Sequence, residues 1–228
     1  AVRTAEAWVG QAGGPEWSDT LMILASDHAN SYLRLRSRLG AGDLPLQVWL
    51  DESPDGSGWS YPDGQVTYQT NNHTNELVTL WARGQGAELF ESYVVSWYPQ
   101  TEIVDNTQIY EVMVQAVEAS GVNNVILFIG DGMHLQHEIG ASRYLYDQDM
   151  ALAWHGWGLG DGGWRGFCST WDVTPYNLYA AQAGQPGYDP AGFDPTVGYN
   201  PAVGGSAPFG ADLYPVQTYR VYLPTVQR

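Results

Sequence analysis

Three short polar segments of the sequence carry side chains that could bind a metal ion. Asp131 stands between two glycines in IGDGM, Asp27 and His28 follow the run TLMILAS, and His73 lies in the segment NNHTN. Each segment adjoins an apolar run of strand length. Carboxylates and imidazoles are ligands of divalent metals, and imidazole favours zinc, so these four side chains would form a zinc site if the fold brought them together.

Each of these residues also has an ordinary explanation. An aspartate that follows a strand most often caps a helix or completes a turn, and Gly-Asp-Gly alone is weak support for a function. Taken singly, His28 or His73 fits a hydrogen-bonded surface histidine better than a metal ligand. The metal hypothesis therefore depends on whether the fold places the three segments side by side.

The elements around these segments predict an α/β fold with a mostly parallel sheet and helices on both of its faces. Buried strands are predicted at residues 20–25, 77–82 and 125–129. Helices are predicted at residues 1–9, 106–120 and 134–146. Because ligands collect beyond the carboxyl ends of parallel strands, we expect the three strands to share one sheet and the three polar segments to meet at one edge.

The helix at 106–120 has a clear apolar face, and Asn106 is its predicted N-cap. The residues that fall on this face are Ile109, Val112, Met113, Ala116 and Val117. The segment 40–65 is rich in turn residues, with Pro-Asp-Gly twice, and we expect it to run over the surface. The Gly/Pro/aromatic-rich chain beyond residue 184 is predicted to be ordered but irregular, with one terminal strand at 218–228.

Composition excludes several classes of protein. All nine basic residues are arginine, and they stand against 25 acidic residues for a net charge of −16, so nucleic acid is not expected as a partner. Arg34, Arg36 and Arg38 are the only arginines that cluster, and we interpret them as a solvated face. No run of 18 apolar residues predicts a membrane span. The single cysteine, Cys168, excludes an intrachain disulfide.

The cellular compartment is predicted from composition. The absence of lysine and the ten tryptophans and 15 tyrosines favour an extracytoplasmic protein, whether periplasmic, secreted or at the cell surface. The first residues, AVRTAEAW, would suit a mature chain whose export signal has been removed, and they would equally suit a fragment.

Three segments together resemble the alkaline phosphatase family. NNVILFIGDGM followed by a helix resembles the family's first strand and its metal-binding aspartate. TLMILASDHAN resembles a later strand that ends in Asp-His, and NNHTNELVTLWARGQGAELF resembles the histidine-threonine element, with NTQIYEVM matching the closing helix. These matches cover about half of the chain, and three in one sequence are far more specific than one.

The resemblance implies a metal-dependent phosphomonoester hydrolase with zinc, and in complete members magnesium, as cofactors. Asp27, His28 and Asp131 would be ligands of the second metal, and His73 a ligand of the first. The chain would be one alkaline-phosphatase-like domain, 1–228. Within it, 1–119 resembles the family's C-terminal part, 120–210 resembles its N-terminal part, and 211–228 forms a terminal strand or tail.

Two departures limit the resemblance. The motif order is reversed, as in a circularly permuted chain or one cut from a longer or tandem polypeptide. The family's middle section, with its serine nucleophile, its magnesium ligand and the Asp and His that complete the first metal site, has no counterpart. The serines near acidic residues fit turn or cap positions, and they are Ser18, Ser26, Ser53 and Ser92.

His134 replaces a family glycine and could crowd the site or lend it a nitrogen. His134 and His137 could supply missing ligands, but helix statistics favour surface residues of the first turn. His155 is expected to be held among tryptophans in a packed loop.

Two functions therefore remain open. The chain is either a partial or complete phosphomonoester hydrolase whose partner is a phosphate ester or phosphate, or a non-catalytic secreted structural or assembly protein that reuses the fold. In both cases self-association, or a second chain that supplies the missing section, is an expected partner.

Overall fold

The structure is a computed structural model that describes residues 1–50, 58–68, 73–74, 76–94, 101–158, 160 and 162–170. The three α-helices of this part of the chain are α1 Val2–Val9, α2 Thr107–Ala119 and α3 Leu135–Tyr146. Two 3₁₀ helices span Ala87–Tyr93 and Ala153–Gly156. The strands are β1 Thr20–Ser26, β2 Ala29–Asn30, β3 Arg34–Leu35, β4 Val48–Trp49, β5 Trp59–Ser60, β6 Val66–Thr67, β7 His73–Thr74, β8 Val78–Gly84, β9 Ile103–Asp105, β10 Asn124–Gly130 and β11 Gly163–Ser169.

Five strands form the central sheet in the order β10-β1-β8-β11-β9. β1 is parallel to β10 and β11 is parallel to β9, whereas β8 runs antiparallel to both of its neighbours. The sheet is therefore mixed, and the prediction of a mostly parallel sheet was wrong. The chain leaves β1 at its carboxyl end and returns to the same end to begin β8, so β8 must run in the opposite direction.

The prediction that the three apolar runs share one sheet is confirmed. The prediction that residues 125–129 form a buried strand was wrong, because β10 lies at the edge of the sheet and leaves Leu127 and Ile129 exposed. The carboxyl ends of β1 and β10 are in register, with Ser26 beside Gly130. The amino end of β8 lies at the same edge because Leu24 of β1 pairs with Trp81. All three polar segments therefore adjoin one edge of the sheet, although the segment with His73 precedes its strand rather than following it.

Helices pack on both faces of the sheet, as predicted. Every residue of β1 is buried, and successive side chains of a strand point to opposite faces. Leu21, Ile23 and Ala25 contribute to the cluster that contains α2, while Met22 and Leu24 contribute to the cluster that contains α1. Burial of both faces explains why this run is continuously apolar.

The apolar face of α2 was predicted correctly except at Val117, and the predicted N-cap residue was wrong. Val112 and Ala116 are buried, but Val117 is 54% exposed and lies beyond the edge of the packed face. Asn106 makes no capping bond through its side chain. Asp105 caps the helix instead, because its Oδ1 accepts hydrogen bonds from the Thr107 backbone N–H at 3.0 Å and from the Thr107 hydroxyl at 2.7 Å.

Two strands of the sheet were not predicted. β9 is only three residues long, and β11, GWRGFCS, contains two glycines, which weaken a strand pattern. The structure explains Gly166, since a Cβ there would lie 2.4 Å from the Trp164 ring and 2.8 Å from the Glu102 carbonyl oxygen. Close packing therefore requires the residue that hides the strand from sequence analysis.

The surface excursion is exposed where the structure describes it. Leu44 and Leu46 are 73% and 52% exposed. Arg34 departs from the predicted solvated face, because it is half-buried and paired with Glu76. The predictions for 171–228, including the terminal strand, lie outside the described residues. In the described part of the chain no helix has the length and apolarity needed to cross a membrane.

Candidate metal centre

Asp27, His28 and Asp131 form a compact group at the sheet edge. Each offers one ligand atom, and these atoms all lie within 4.8 Å of one another. His28 Nε2 is 3.4 Å from Asp27 Oδ2 and 3.4 Å from Asp131 Oδ1. The structure thus brings together three of the four residues singled out in the sequence, from segments about a hundred residues apart along the chain.

The parallel pairing of β1 with β10 places the two aspartates side by side. Because Ser26 is in register with Gly130, Asp27 and Asp131 are the next residues of neighbouring strands. The Ser26 hydroxyl donates to the Gly130 carbonyl at 2.6 Å and accepts from the Met133 N–H at 2.9 Å. The Asp27 N–H also donates to the Gly130 carbonyl at 3.2 Å. These bonds hold the two strand ends together.

Backbone donors orient the carboxylate of Asp27. Its Oδ1 accepts from the His28 N–H at 2.8 Å and from the Gly132 N–H at 3.0 Å, so Oδ2 is the oxygen that faces His28 Nε2. Gly132 has φ +67, and a Cβ there would lie 3.3 Å from His28 Cε1. A side chain at this position would be strained and would crowd the imidazole.

The tautomer of His28 follows from its backbone contact. Nδ1 lies 2.9 Å from the Ala29 carbonyl oxygen, which can only accept, so Nδ1 carries the proton. In the neutral ring the lone pair of Nε2 then faces the two carboxylate oxygens. Three electron-rich atoms that converge in this way repel one another, and a cation between them would relieve the repulsion.

His73 lies against this group. Its ring stacks on His28 with centroids 3.6 Å apart and planes inclined by 20°. The contact arises because β7 pairs with β2, which sets His73 opposite Asn30. His73 is thus beside the group of Asp27, His28 and Asp131, but its ligand atoms are not part of the 4.8 Å cluster.

The group opens to solvent on one side. The side chain of His28 is 9% exposed, that of Asp27 is 44% exposed and that of Asp131 is 93% exposed. A buried imidazole therefore forms the base of the group and a solvated carboxylate forms its outer wall. A small ligand could reach the convergent atoms without displacing any packed side chain.

His134 is buried, so its interpretation as a surface residue of the helix was wrong. It is the N-cap of α3, and its Nδ1 accepts from the Gln136 N–H at 3.1 Å. Its Nε2 is buried without a hydrogen-bond partner and lies 3.8 Å from Glu76 Oε2. Burial, with a contribution from the positive charge of Arg34, lowers the pKa of His134 to about 4.

His137 is linked to His134 and is half-buried. Its Nδ1 accepts from the His134 N–H at 3.3 Å, and the ring centroids are 4.5 Å apart. Burial and the neighbouring imidazole lower the pKa of His137 to about 4. Both rings are therefore neutral at pH 7, and both serve the start of α3 rather than the group around Asp131.

A buried pair that the sequence analysis missed joins Glu138 of α3 to His155 of the 3₁₀ helix Ala153–Gly156. Glu138 accepts from His155 Nε2 at 2.7 Å and from Trp154 Nε1 at 3.1 Å, and it also accepts from the Thr79 hydroxyl. Both side chains of the Glu138–His155 pair are fully buried. The expectation that His155 packs among tryptophans is confirmed, since Trp81 and Trp154 lie 5.3 and 5.7 Å from its ring.

The serines considered as nucleophiles have structural contacts. Ser18 donates to Glu16 at 3.3 Å, and Ser92 donates to the Leu89 carbonyl within its helix at 2.7 Å. Ser26 adjoins the metal-ligand group but is buried and joins the strand ends. Ser53 lies outside the described residues. Ser18 and Ser92 are exposed, but each is hydrogen-bonded to a residue two or three positions away along the chain, and Ser26, the one of these three that adjoins the metal-ligand group, is buried.

Comparisons with protein-family models, with curated proteins and with solved structures found no match. The function of this chain must therefore be argued from the geometry of its own residues.

Proposed function

We propose that this chain binds a divalent metal ion, with zinc favoured, through Asp27, His28 and Asp131, and that the bound ion binds the phosphoryl group of a phosphate monoester. The observation that carries the proposal is the convergence of one imidazole nitrogen and two carboxylate oxygens within 4.8 Å. His73, stacked on His28, is the proposed remnant of a second metal site.

The spacing of the ligand atoms fits a zinc ion. Zinc lies about 2.0–2.2 Å from nitrogen and oxygen ligands, so two ligands of a tetrahedral ion are about 3.4 Å apart. His28 Nε2 has this separation from both carboxylate oxygens. The set of one imidazole and two carboxylates also suits other divalent ions, and magnesium enters the proposal as a competing cation.

The chain's own residues bind and orient the ligands. A bound zinc ion would supply a Lewis acid for the phosphoryl oxygen. The Ala29 carbonyl fixes the ring of His28, and the Gly132 N–H fixes the carboxylate of Asp27. Outer contacts of this kind keep the ligands in their binding orientation, and the contact from His28 Nδ1–H to a carbonyl also raises the basicity of the imidazole. The exposure of Asp131 leaves the solvent side open to the ester.

Hydrolysis by this chain alone should be weak. The hydroxyls of Ser18, Ser26 and Ser92 are hydrogen-bonded within the protein, and the nucleophile-bearing section of the resembled family has no counterpart in the sequence. Catalysis without a covalent intermediate must attack phosphorus directly with water. Each lost electrostatic contributor is typically worth roughly 10²–10³ in rate, so we propose a phosphate-binding centre with little turnover, in effect a partial phosphomonoesterase.

Metal binding can be tested by titrating zinc into EDTA-treated, dialysed protein and measuring both heat and bound metal. We expect one ion per chain at micromolar or lower concentration. Asp131→Asn and His28→Gln should each weaken binding at least tenfold, because each removes one of three ligands. Asp63→Asn is the matched control, because it also removes one exposed surface carboxylate.

Two outcomes would overturn the proposal. The first is that zinc does not bind the intact chain, and the second is that Asp131→Asn and Asp63→Asn bind zinc with equal affinity. Inorganic phosphate titrated into the zinc-loaded and zinc-free proteins then tests the second half of the proposal, since phosphate binding should depend on the metal.

The second candidate function is that of a non-catalytic, extracytoplasmic assembly protein. It is favoured by the outer edge of β10, which has no strand partner among the described residues. Ile129 on this strand is 63% exposed and Leu127 is 37% exposed, and no charged residue or proline interrupts the strand. The unpaired backbone groups of such an apolar edge strand can hydrogen-bond to a strand of another chain. Light scattering would detect the assembly, and Ile129→Lys should reduce it.

A further inference from the structure

A cavity of about 220 Å³ lies between α3 and the surface excursion, away from the metal-ligand group. Aliphatic and tyrosine side chains form most of its lining, including Leu33, Leu35, Val66, Tyr61, Tyr68 and Tyr144. It shares no residue with Asp27, His28, Asp131 or His73.

Hydrogen-bonded strands and the helix α3 form the walls of the cavity. β3 pairs with β6, which sets Leu35 beside Val66 on one wall. The backbone N–H of Leu35 donates to Gln136 Oε1 at 3.1 Å and so ties this wall to the first turn of α3. The Arg36 N–H donates to the Gln65 carbonyl at 2.8 Å and continues the same ladder. The space is therefore held open by hydrogen-bonded elements.

Gly140 opens the cavity on the side of the helix. It lies inside α3 with an ordinary helical backbone, where glycine costs about 1 kcal/mol relative to alanine. A Cβ at this position would meet nothing closer than the Leu35 Cδ1 atom, at 3.4 Å. Neither the backbone conformation nor a close contact requires glycine at this position. The absence of a side chain instead leaves space in the cavity.

The imidazole of His137 lines the cavity and has an unused hydrogen-bond donor. His137 accepts at Nδ1 from the His134 N–H, so its neutral ring carries the proton at Nε2. Within the described part of the chain no acceptor is hydrogen-bonded to this nitrogen. Arg143, the cation of the lining, is bound to Asp149 through two bonds of 2.6 and 3.0 Å, so its charge is neutralised within the protein.

We propose that this cavity binds a neutral, single-ring aromatic compound that carries a hydrogen-bond acceptor, such as an aryl ketone or ester. An apolar cavity of about 150 Å³ is known to hold a benzene ring, so the volume admits one substituted ring and not two. The tyrosine rings offer aromatic contacts, and His137 Nε2–H offers the donor for the acceptor oxygen. Asp43 in the lining and the net charge of −16 disfavour an anion.

Acetophenone, ethylbenzene, benzoate and benzyltrimethylammonium are suitable probes. They share one ring and differ in acceptor and charge, and their binding to the full chain is measured by calorimetry and by ligand-observed NMR. We expect acetophenone to bind more tightly than the other three. Gly140→Leu, which fills the cavity, should weaken its binding at least tenfold. Ala141→Leu is the matched control, because it adds the same side chain at the next, exposed position of the helix.

His137→Phe tests the donor. It should weaken acetophenone binding about three- to tenfold, the range of one hydrogen bond, and leave ethylbenzene binding unchanged. Gly140→Ala guards against a misfolded leucine variant, since it favours the helix and should still weaken binding. The proposal is wrong if none of the four probes binds, if benzoate or benzyltrimethylammonium binds best, or if Gly140→Leu folds and binds acetophenone as the unaltered chain does.

Discussion

Acid should destabilise this protein through the buried histidine at the start of α3. His134 is 3% exposed, and its Nε2 has no hydrogen-bond partner. Burial, aided by the positive charge of Arg34, holds its pKa at about 4, against 6.5 for an unperturbed imidazole. The folded chain therefore keeps this ring neutral over a pH range in which the unfolded chain protonates it.

The sign and size of the effect follow from these two pKa values. Between pH 6.5 and about 4 the unfolded state binds one proton at this site and the folded state binds none, so the free energy of unfolding falls as the pH falls. The contribution of the neutral His134 ring to the free energy of unfolding is fully present above pH 6.5 and is lost as the pH falls towards 4. The expected slope is about 1.4 kcal/mol per pH unit, which sums to about 3 kcal/mol across the window.

Urea unfolding of the unaltered chain and of His134→Asn, both in EDTA at pH 4.5 to 7.5, measures this slope. Asparagine is a favoured N-cap residue, so the bond to the Gln136 N–H can persist while the titrating ring is removed. We expect the variant to lose stability less steeply on acidification, by up to about 1.4 kcal/mol per pH unit. His73→Asn removes an exposed imidazole and is the control. Equal slopes for His134→Asn and the unaltered chain would refute the reasoning.

Three further predictions concern the core, the chemistry and the sheet edge. Glu138→Gln should lower the free energy of unfolding by roughly 1.5–3 kcal/mol, because it removes the charged acceptor of the buried hydrogen bonds from His155 and Trp154, and an equal midpoint in urea would contradict this. The chain supplied with zinc and magnesium should hydrolyse a chromogenic phosphate ester little above background, whereas robust turnover that Asp131→Ala abolishes would reveal a nucleophile not recognised here. Ser26→Ala should weaken zinc binding severalfold without removing a ligand, because it releases the Gly130 carbonyl and the Met133 N–H at the strand ends, and calorimetry would detect unchanged affinity if the contact is unimportant.

The local elements around the candidate site could be predicted from sequence because their signals are short in range. The run at β1 is continuously apolar since neighbours pack on both of its faces, and the helical period of α2 identifies its buried residues. The run at β10 is equally apolar but lies at the sheet edge with Leu127 and Ile129 exposed, so apolarity alone does not establish burial. Each apolar run also ends at a polar segment, which marked Asp27, His28, Asp131 and His73 as candidates. The failure at Val117 shows the limit, since a helical face does not reveal where the packed surface ends.

The sequence by itself determined which residues could bind a metal and which apolar runs form the strands of the central sheet, because residue type and period act within a few positions of the chain. Only the tertiary structure decided that β8 runs antiparallel, that His73 stacks on His28, and that Glu138 meets His155 in the core. These features depend on pairings between segments far apart in the chain. Such pairings are selected by the shape and hydrogen bonding of the whole assembly of elements, and no local pattern records them.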